Sequence, residues 1–421
     1  MLISSLCVKR KFGTVADAST KGHKLCVKGG YIHQTFQGGY TLSPTGHKVC
    51  RNIEQIIREE MDALGGQEIL MPVVSGADIW KESGRYDKVD VLAKFKGRSG
   101  ADYVLNPTHE EVVVDFVKSV MDSYKQMPFM VYQIQTKFRD ELRSRAGLVR
   151  TREFRMKDAY SFHLTQEDLE KFYAECLQAY YRIFKRIGMK NVVDVKSDNG
   201  DMGGSISHEF MLLNPIGEDT VYICPCGFRA NKETMADSKI CPVCGKPLEE
   251  HRGIEIGNIF QLGDKYSKSM HLEYTAADGS KKNPIMGCYG IGVGRAMASV
   301  IEESADDNGP IWNMEIAPYK VHIVTMADKT GESDKLGTTI HDYLNNKKID
   351  VILDNRDLRA GEKFADADLL GAPIRLIVSP KNLEKGVIEV KYRHPDYQHL
   401  AAELPITGFE QALDKLIAEC K

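Results

Sequence analysis

Apolar residues recur at helical spacing from His47 to Leu64, where Val49, Ile53, Ile56, Ile57, Met61 and Leu64 are separated by charged positions. Gly65-Gly66 ends that run, and Gln67 to Val74 reads as a strand interrupted at Pro72. Lys137 to His163 has another texture. Phe138, Leu142, Leu148, Val149, Phe154 and Met156 punctuate a basic stretch, and Ala146-Gly147 breaks it. This predicts a strand, a mobile basic loop and a returning strand. Helices are expected over Glu111 to Met121, Asp168 to Ile187 and Arg295 to Glu303. An apolar–polar pattern resumes at Arg252 to Ser267, and an apolar–glycine stretch runs from Met286 to Arg295.

Around Ile316-Ala317-Pro318 the character changes. Val321 to Thr325, Val351 to Asp354, Arg375 to Val378 and Val387 to Tyr392 read as strands, with helices over Lys335 to Asn345 and Gly408 to Cys420. Alternating strands and helices there predict a separate small α/β domain. The chain shows neither an internal repeat nor a low-complexity region.

Length changes the picture little: 421 residues suggest two or three domains. A hydrophobic content of 42% with 27% charged residues is that of a soluble globular protein. The net charge of −3 neither requires nor excludes a nucleic-acid partner, since a neutral total can hide a basic surface. Leu2, Ile3, Leu6 and Val8 are followed at once by Lys9-Arg10-Lys11, an order that fits neither a secretory signal nor a membrane span. Ten cysteines without a secretory signal point to a reducing compartment, and the cytoplasm is the expected location.

The basic stretch carries the most chemistry. From Lys137 to Lys157, the cations Lys137, Arg139, Arg143, Arg145, Arg150, Arg152, Arg155 and Lys157 are set against only Asp140, Glu141 and Glu153. Arginines on a hairpin can grip a polyphosphate through bidentate, charge-assisted hydrogen bonds, although a solvated basic face has the same composition. Gly287, Gly290, Gly292 and Gly294 precede Arg295. A dinucleotide fingerprint would need glycine where Arg295 stands, so close approach to a nucleotide is the better reading. Cys224-Pro-Cys226-Gly and Cys241-Pro-Val-Cys244-Gly, separated by 14 residues, look like two knuckles of a zinc ribbon around one structural Zn2+, the alternative being a remnant with free thiols. The first pair has the tighter C-x-C spacing.

The segment FRDELRSRAGLVRTREFRMKDAYSFH resembles motif 2 of the class II aminoacyl-tRNA synthetases, and in its longer form the bacterial-type prolyl-tRNA synthetases. The resemblance runs from about Gly30 to about Arg393. It implies an α+β chain: an antiparallel catalytic sheet flanked by helices over 1–315, then an α/β anticodon-binding domain over 316–421. It also implies a ligase that joins L-proline to tRNA(Pro) through prolyl-adenylate, using ATP and Mg2+. The substrate carboxylate is already ionised, so activation needs in-line positioning and neutralised phosphate charge rather than a general base.

By the same resemblance, Arg139 holds the α-phosphate and the substrate carboxylate, and Glu141 the adenine amino group. Arg150 faces the outer phosphates or the tRNA acceptor end, and Arg295, as the motif 3 arginine, grips the γ-phosphate. Thr108 and Glu110, in a T-x-E loop, take the proline ammonium, although Thr-His-Glu-Glu could instead cap the helix that follows. Glu255 goes to ATP or its magnesium and Phe260 to the wall of the proline ring. Tyr160, Phe162 and His163 lie near the pocket, His163 as a satisfied strand-end histidine. Two residues depart from the family pattern: Asn258 stands where histidine is usual, and Asn106 where glycine is.

The helix and the strand meeting Pro72 are similar to motif 1, which implies a homodimer. DNRDLRAGEKFADADLLGAP resembles the anticodon-binding domain, yet only scattered cations (Arg356, Arg359, Lys363, Arg375) mark it. Most relatives carry a large editing domain between motifs 2 and 3, where this chain has only the cysteine segment, so no editing in cis is expected. Three rivals remain: activation of threonine, serine or histidine; a non-catalytic synthetase-like regulator; and a zinc-ribbon nucleic-acid binder. The T-x-E loop, the retention of Arg139, Glu141 and Arg295, and the small size of the cysteine segment argue against them in turn.

Overall fold

The alternating pattern around the basic stretch builds the central hairpin. In the computed structural model, which describes residues 1–8, 18–235 and 238–420, strands Phe129–Phe138 and Glu153–His163 pair antiparallel over ten registered residues. The Lys9-Arg10-Lys11 run falls outside the described residues. Between the strands the chain turns at Ala146 and Gly147, both left-handed, and Arg145 and Arg150 exchange backbone hydrogen bonds of 3.1 and 3.3 Å.

This hairpin lies within a nine-stranded sheet. Glu153–His163 pairs with Ile285–Gly292, which pairs with the long strand Glu249–Gly263. That long strand also takes Ile206–Leu213 and Asp219–Ile223 as antiparallel neighbours. The result is a largely antiparallel floor onto which the amphipathic helix Gln166–Arg186 packs Leu169, Tyr173, Cys176, Tyr180 and Ile183, all buried. Thr165 caps this helix by accepting from the Asp168 N–H at 3.2 Å.

The expected strand Gln67 to Val74 is instead two short strands in different sheets. Gly66–Glu68 adds in parallel to the edge of the nine-stranded sheet, and Val74–Gly76 joins a separate three-stranded sheet. Pro72 has no N–H to donate to a ladder, so the chain changes sheets there. The preceding helix is Pro44–Ala63 and buries Val49, Ile53, Ile56, Ile57 and Met61, as its spacing predicts.

The chain forms two compact units. One is Gln34–Tyr40 with Glu54–Ser299, which holds the nine-stranded sheet. The other is Met1–His33, Thr41–Ile53 and Val300–Lys421. It contains a five-stranded sheet whose three parallel strands, Val351–Asp354, Val321–Thr325 and Ile374–Val378, continue into antiparallel Val387–Tyr392 and Glu403–Pro405. Helices Glu332–Asn346 and Phe409–Glu419 bury Ile340, Leu344, Leu413 and Leu416 in the core of this unit. Arg356 is held by Asp354 and Asp366, Arg375 by Asp368, and Lys363 is buried against backbone carbonyls. Among the described residues, no helix is long and apolar enough to cross a membrane.

Candidate active site

Four separate segments converge on one cavity of the larger unit. Thr108, Arg139, Glu141, Arg150, Glu255, Phe260 and Arg295 all line it, and Glu110 lies directly behind Thr108. The register of the sheet brings them together. Phe260 stands opposite Cys288 across the pair Glu249–Gly263 and Ile285–Gly292, and Asn258 stands opposite Gly290. Arg295 then rises from the first turn of the helix Val293–Ser304.

At the proline-loop end, the helix starts at Glu110 with His109 as its N-cap, and no side chain caps it. Thr108 is therefore not a capping residue. Its hydroxyl donates to Glu110 Oε2 at 2.6 Å instead. Glu110 is fully buried and also meets Arg85 Nη1 at 3.4 Å and the Cys288 thiol at 3.2 Å. Arg85 reaches Glu111 as well, at 3.1 Å. Two buried carboxylates thus share one buried guanidinium, which leaves the corner rich in acceptors.

Asn106 explains how the loop tolerates its departure from glycine. Its side-chain oxygen accepts from Ser75 Oγ at 2.7 Å and Trp80 Nε1 at 3.2 Å, and its amide donates to Pro72 O at 3.1 Å. The residue has no exposure. Asn106→Ala removes three buried hydrogen bonds two residues before Thr108. It should cost about 2–3 kcal/mol in urea denaturation and weaken occupation of the Thr108 corner. An unchanged denaturation midpoint would show that the loop is held by its backbone alone.

The opposite end is cationic. Arg295 donates through Nη1 to Glu255 O at 2.9 Å and to its carboxylate at 3.1 Å, and through Nε to Val149 O at 2.8 Å. Arg150 donates to Glu141 Oε2 at 2.9 and 3.2 Å, and Glu218 holds both Arg150 and Arg145. Arg139 lies half-buried between these groups, stacks on Phe154 at 5.2 Å and donates to Pro107 O at 3.3 Å. Burial and then the nearby Arg295 lower its affinity for a proton, while Glu255, Glu141 and Glu110 oppose them. The Asp219 carboxyl is pushed up to about 6 by burial and by Glu255.

The glycines divide by role. A Cβ on Gly287 would lie 2.3 Å from the Tyr289 hydroxyl, so that position is packing. Gly290 and Gly292 line the cavity, and a Cβ on either would meet protein atoms only at ordinary distances, 3.7 and 3.5 Å. The absent side chains there leave room in the cavity itself.

The sequence matches the tRNA synthetase class II core domain (G, H, P, S and T) over residues 94–304 and the anticodon binding domain over 320–416. It is 42% identical over 396 residues to the proline–tRNA ligase of Anaplasma phagocytophilum, covering 90% of this chain and 92% of the relative. The chain belongs to the proline–tRNA ligase family. Another member of the family, from a Thermotoga species, is 33% identical over an alignment of 532 residues that again spans 90% of this chain and 92% of the relative. Its alignment is far longer than this chain, so that relative carries a long stretch with no counterpart here. The fold is similar to that of prolyl-tRNA synthetase from Cryptosporidium parvum, solved with halofuginone and AMPPNP, with a TM-score of 0.78 at 20% identity over 97% of this chain and 79% of that one.

Several residues that shape the site escape a reading by motif. Asp158, Met202 and Cys288 line the cavity, and Arg85 braces the acidic corner. Tyr160 lies behind the cavity, where its hydroxyl donates to Asp158 at 2.8 Å and accepts from the His109 N–H at 3.1 Å. Phe162 stacks on Phe129 with ring centroids 5.0 Å apart. His163 is buried and pairs with Asp168 at 2.8 Å, away from the cavity lining. Asn258 lines the cavity with its amide 3.5 Å from Glu255.

Proposed function

We propose that the cavity activates L-proline with ATP and passes the prolyl group from the adenylate to the terminal ribose of tRNA(Pro). The observation that carries this reading is the polarity of one cavity: a buried Thr108–Glu110 acceptor corner beside the Phe260 ring at one end, and Arg139 and Arg295 at the other. A secondary ammonium suits the first end, a small apolar ring suits Phe260, and the phosphates of ATP suit the arginines.

In this reading Thr108 and Glu110 receive the proline ammonium. Arg139 bridges the proline carboxylate and the α-phosphate, so it both positions the nucleophile and stabilises charge at phosphorus. Arg295 takes the γ-phosphate. Glu141 takes the adenine amino group and Arg150 the outer phosphates or the acceptor end of tRNA; a bound nucleotide would draw on both members of their present pair. Glu255, already joined to Arg295, faces the nucleotide and its Mg2+. Residues 1–315 supply catalysis and 316–421 the anticodon contacts. Leu70 and Val74, 75% and 38% exposed on either side of Pro72, support a homodimer interface at this motif. The cytoplasm is the compartment in which tRNA and ATP meet such an enzyme.

The test is ATP–pyrophosphate exchange with each of the twenty amino acids. Strongest exchange with proline is expected. Exchange with threonine, serine or histidine instead would overturn the pocket assignment, and none with any amino acid would overturn activation itself.

Only 14 residues join the two cysteine pairs, too few for an editing domain. An apolar pocket rejects a smaller substrate only by the methylenes it fails to fill, each worth a factor of about 10 to 200. Alanine should therefore support exchange about 10²- to 10⁴-fold less efficiently than proline, and alanyl-tRNA(Pro) should persist in the presence of the enzyme. Rapid clearance of alanyl-tRNA by the purified protein would contradict the absence of editing in cis.

A further inference from the structure

We infer that Cys224, Cys226, Cys241 and Cys244 hold one tetrahedral zinc ion that fastens the end of the hairpin Asp219–Ile223/Arg229–Asn231. The site goes beyond the ligase reading and stands whether or not that reading is right.

The sulfur geometry is that of a single-ion cage. Cys224 and Cys244 sulfurs are 3.4 Å apart, Cys226 and Cys241 sulfurs 3.6 Å, and all four lie within 4.8 Å of one another. Four thiolates at about 2.3 Å from one tetrahedral ion stand about 3.8 Å from each other. Both close pairs join one knuckle to the other, as ligands around a shared centre must.

The backbone shows why two unequal spacings can serve one ion. In the first knuckle the Cys224 N–H donates to Phe228 O at 2.8 Å and the Gly227 N–H to Cys224 O at 2.9 Å. In the second the Cys241 N–H donates to Lys246 O at 2.8 Å and the Gly245 N–H to Cys241 O at 2.9 Å. Each loop closes on a glycine with positive φ, +95° at Gly227 and +70° at Gly245. The C-x-C knuckle is the C-x-x-C knuckle with one residue fewer in the loop. In each pair the first cysteine is buried and the second exposed.

Among the described residues, the apolar packing around the cage is slight. Tyr222, Cys224, Ala230, Met235, Cys241 and Leu248 form a core of their own, with Phe228 packed against it. Two of these six buried residues are the cysteines themselves. A core this small needs a staple, and four converging sulfurs supply one through a metal. Four thiolates also leave no open coordination position, so the ion is structural rather than catalytic.

The site sits at one end of a hairpin whose other end leads to Glu218, which grips Arg145 and Arg150 of the motif 2 loop, and to Asp219, which with Glu218 lines an adjoining pocket beside Arg139, Glu255 and Arg295. The ion thereby fixes the strand that carries these acids.

The experiment is metal analysis of the full-length protein purified under reducing conditions without chelator. About one zinc per chain is expected, falling at least tenfold in Cys241→Ser and in Cys226→Ser, and unchanged in Cys7→Ser, an exposed thiol elsewhere. Should a variant fail to fold, replacing zinc by Co2+ in the unaltered protein gives an independent readout. Intense visible d–d bands and a near-ultraviolet thiolate charge-transfer band at one equivalent would establish tetrahedral sulfur ligation. Three results would each overturn the inference: no zinc and no Co2+ spectrum with four readily alkylated thiols, a Cys224–Cys244 or Cys226–Cys241 disulfide in the reduced preparation's mass spectrum, or one zinc that survives both substitutions.

Discussion

Arg139→Ala should reduce proline-dependent ATP–pyrophosphate exchange by about 10³-fold or more while leaving the protein at least as stable as before. The two halves of this result have one cause. Arg139 makes little use of its charge within the protein: one 3.3 Å hydrogen bond to a carbonyl, a stacking contact with Phe154, and repulsion from Arg295. A cation held beside another cation, with carboxylates nearby but no ion pair of its own among the described residues, is arranged for a ligand rather than for the fold. Arg139→Lys separates charge from geometry. It keeps the positive charge but loses the planar fork that can hold carboxylate and phosphate together, so about 10² of the loss should remain. A thermal melt well below that of the unaltered protein would show that Arg139 is structural. Exchange within about tenfold of normal would remove it from the reaction.

The site was legible wherever a local pattern carries the chemistry. The family resemblance named seven residues, and the fold brings all of them to the lining of one cavity although they come from segments far apart in sequence. The hairpin was legible because apolar residues punctuate its basic run, and the small α/β unit because strand and helix periods alternate. Reading the basic run as one phosphate grip was less accurate. Strand alternation turns Lys137 and Lys157 inward, where neither is exposed. Lys157 donates to the Tyr180 hydroxyl at 2.7 Å and Tyr289 O at 3.1 Å, and burial lowers its pKa to about 7. Arg155 pairs with Glu54, and Arg152 donates to Glu141 O. A count of cations cannot distinguish these from Arg139, because the difference lies in which face of the strand each occupies and what the fold brings against it. Arg85 was hidden for the same reason, since nothing near it in sequence shows that two carboxylates will close on it.

Breaking the pair between Lys137 and Asp158 is expected to be the costliest change to stability. Their charged atoms are 2.7 Å apart, with no exposure for the lysine and 2% for the aspartate side chain. Asp158→Asn strands a buried ammonium and should cost about 3–5 kcal/mol in urea denaturation. Adding Lys137→Met should restore most of it, because a buried pair replaced as a unit is nearly neutral. The pH dependence has a definite sign. Burial lowers the Lys137 pKa, and Asp158 is the main influence that raises it again. Without that carboxylate, the folded state binds fewer protons than the unfolded state at neutral pH, so stability rises as pH rises. The deficit of Asp158→Asn should be larger near about pH 6 than near about pH 9. Loop position should follow a separate thread, the hydrogen bonds from Asp158 through the Tyr160 hydroxyl to the His109 N–H between Thr108 and Glu110. Asparagine can still accept from Tyr160, so the double variant should keep a near-normal KM for proline. Tyr160→Phe, which leaves the ion pair intact, should raise that KM about tenfold, the equivalent of one lost hydrogen bond to a buried group. Equal KM values in Tyr160→Phe and the unaltered protein would confine this network to stability and leave the Thr108–Glu110 corner held by Arg85 and Asn106.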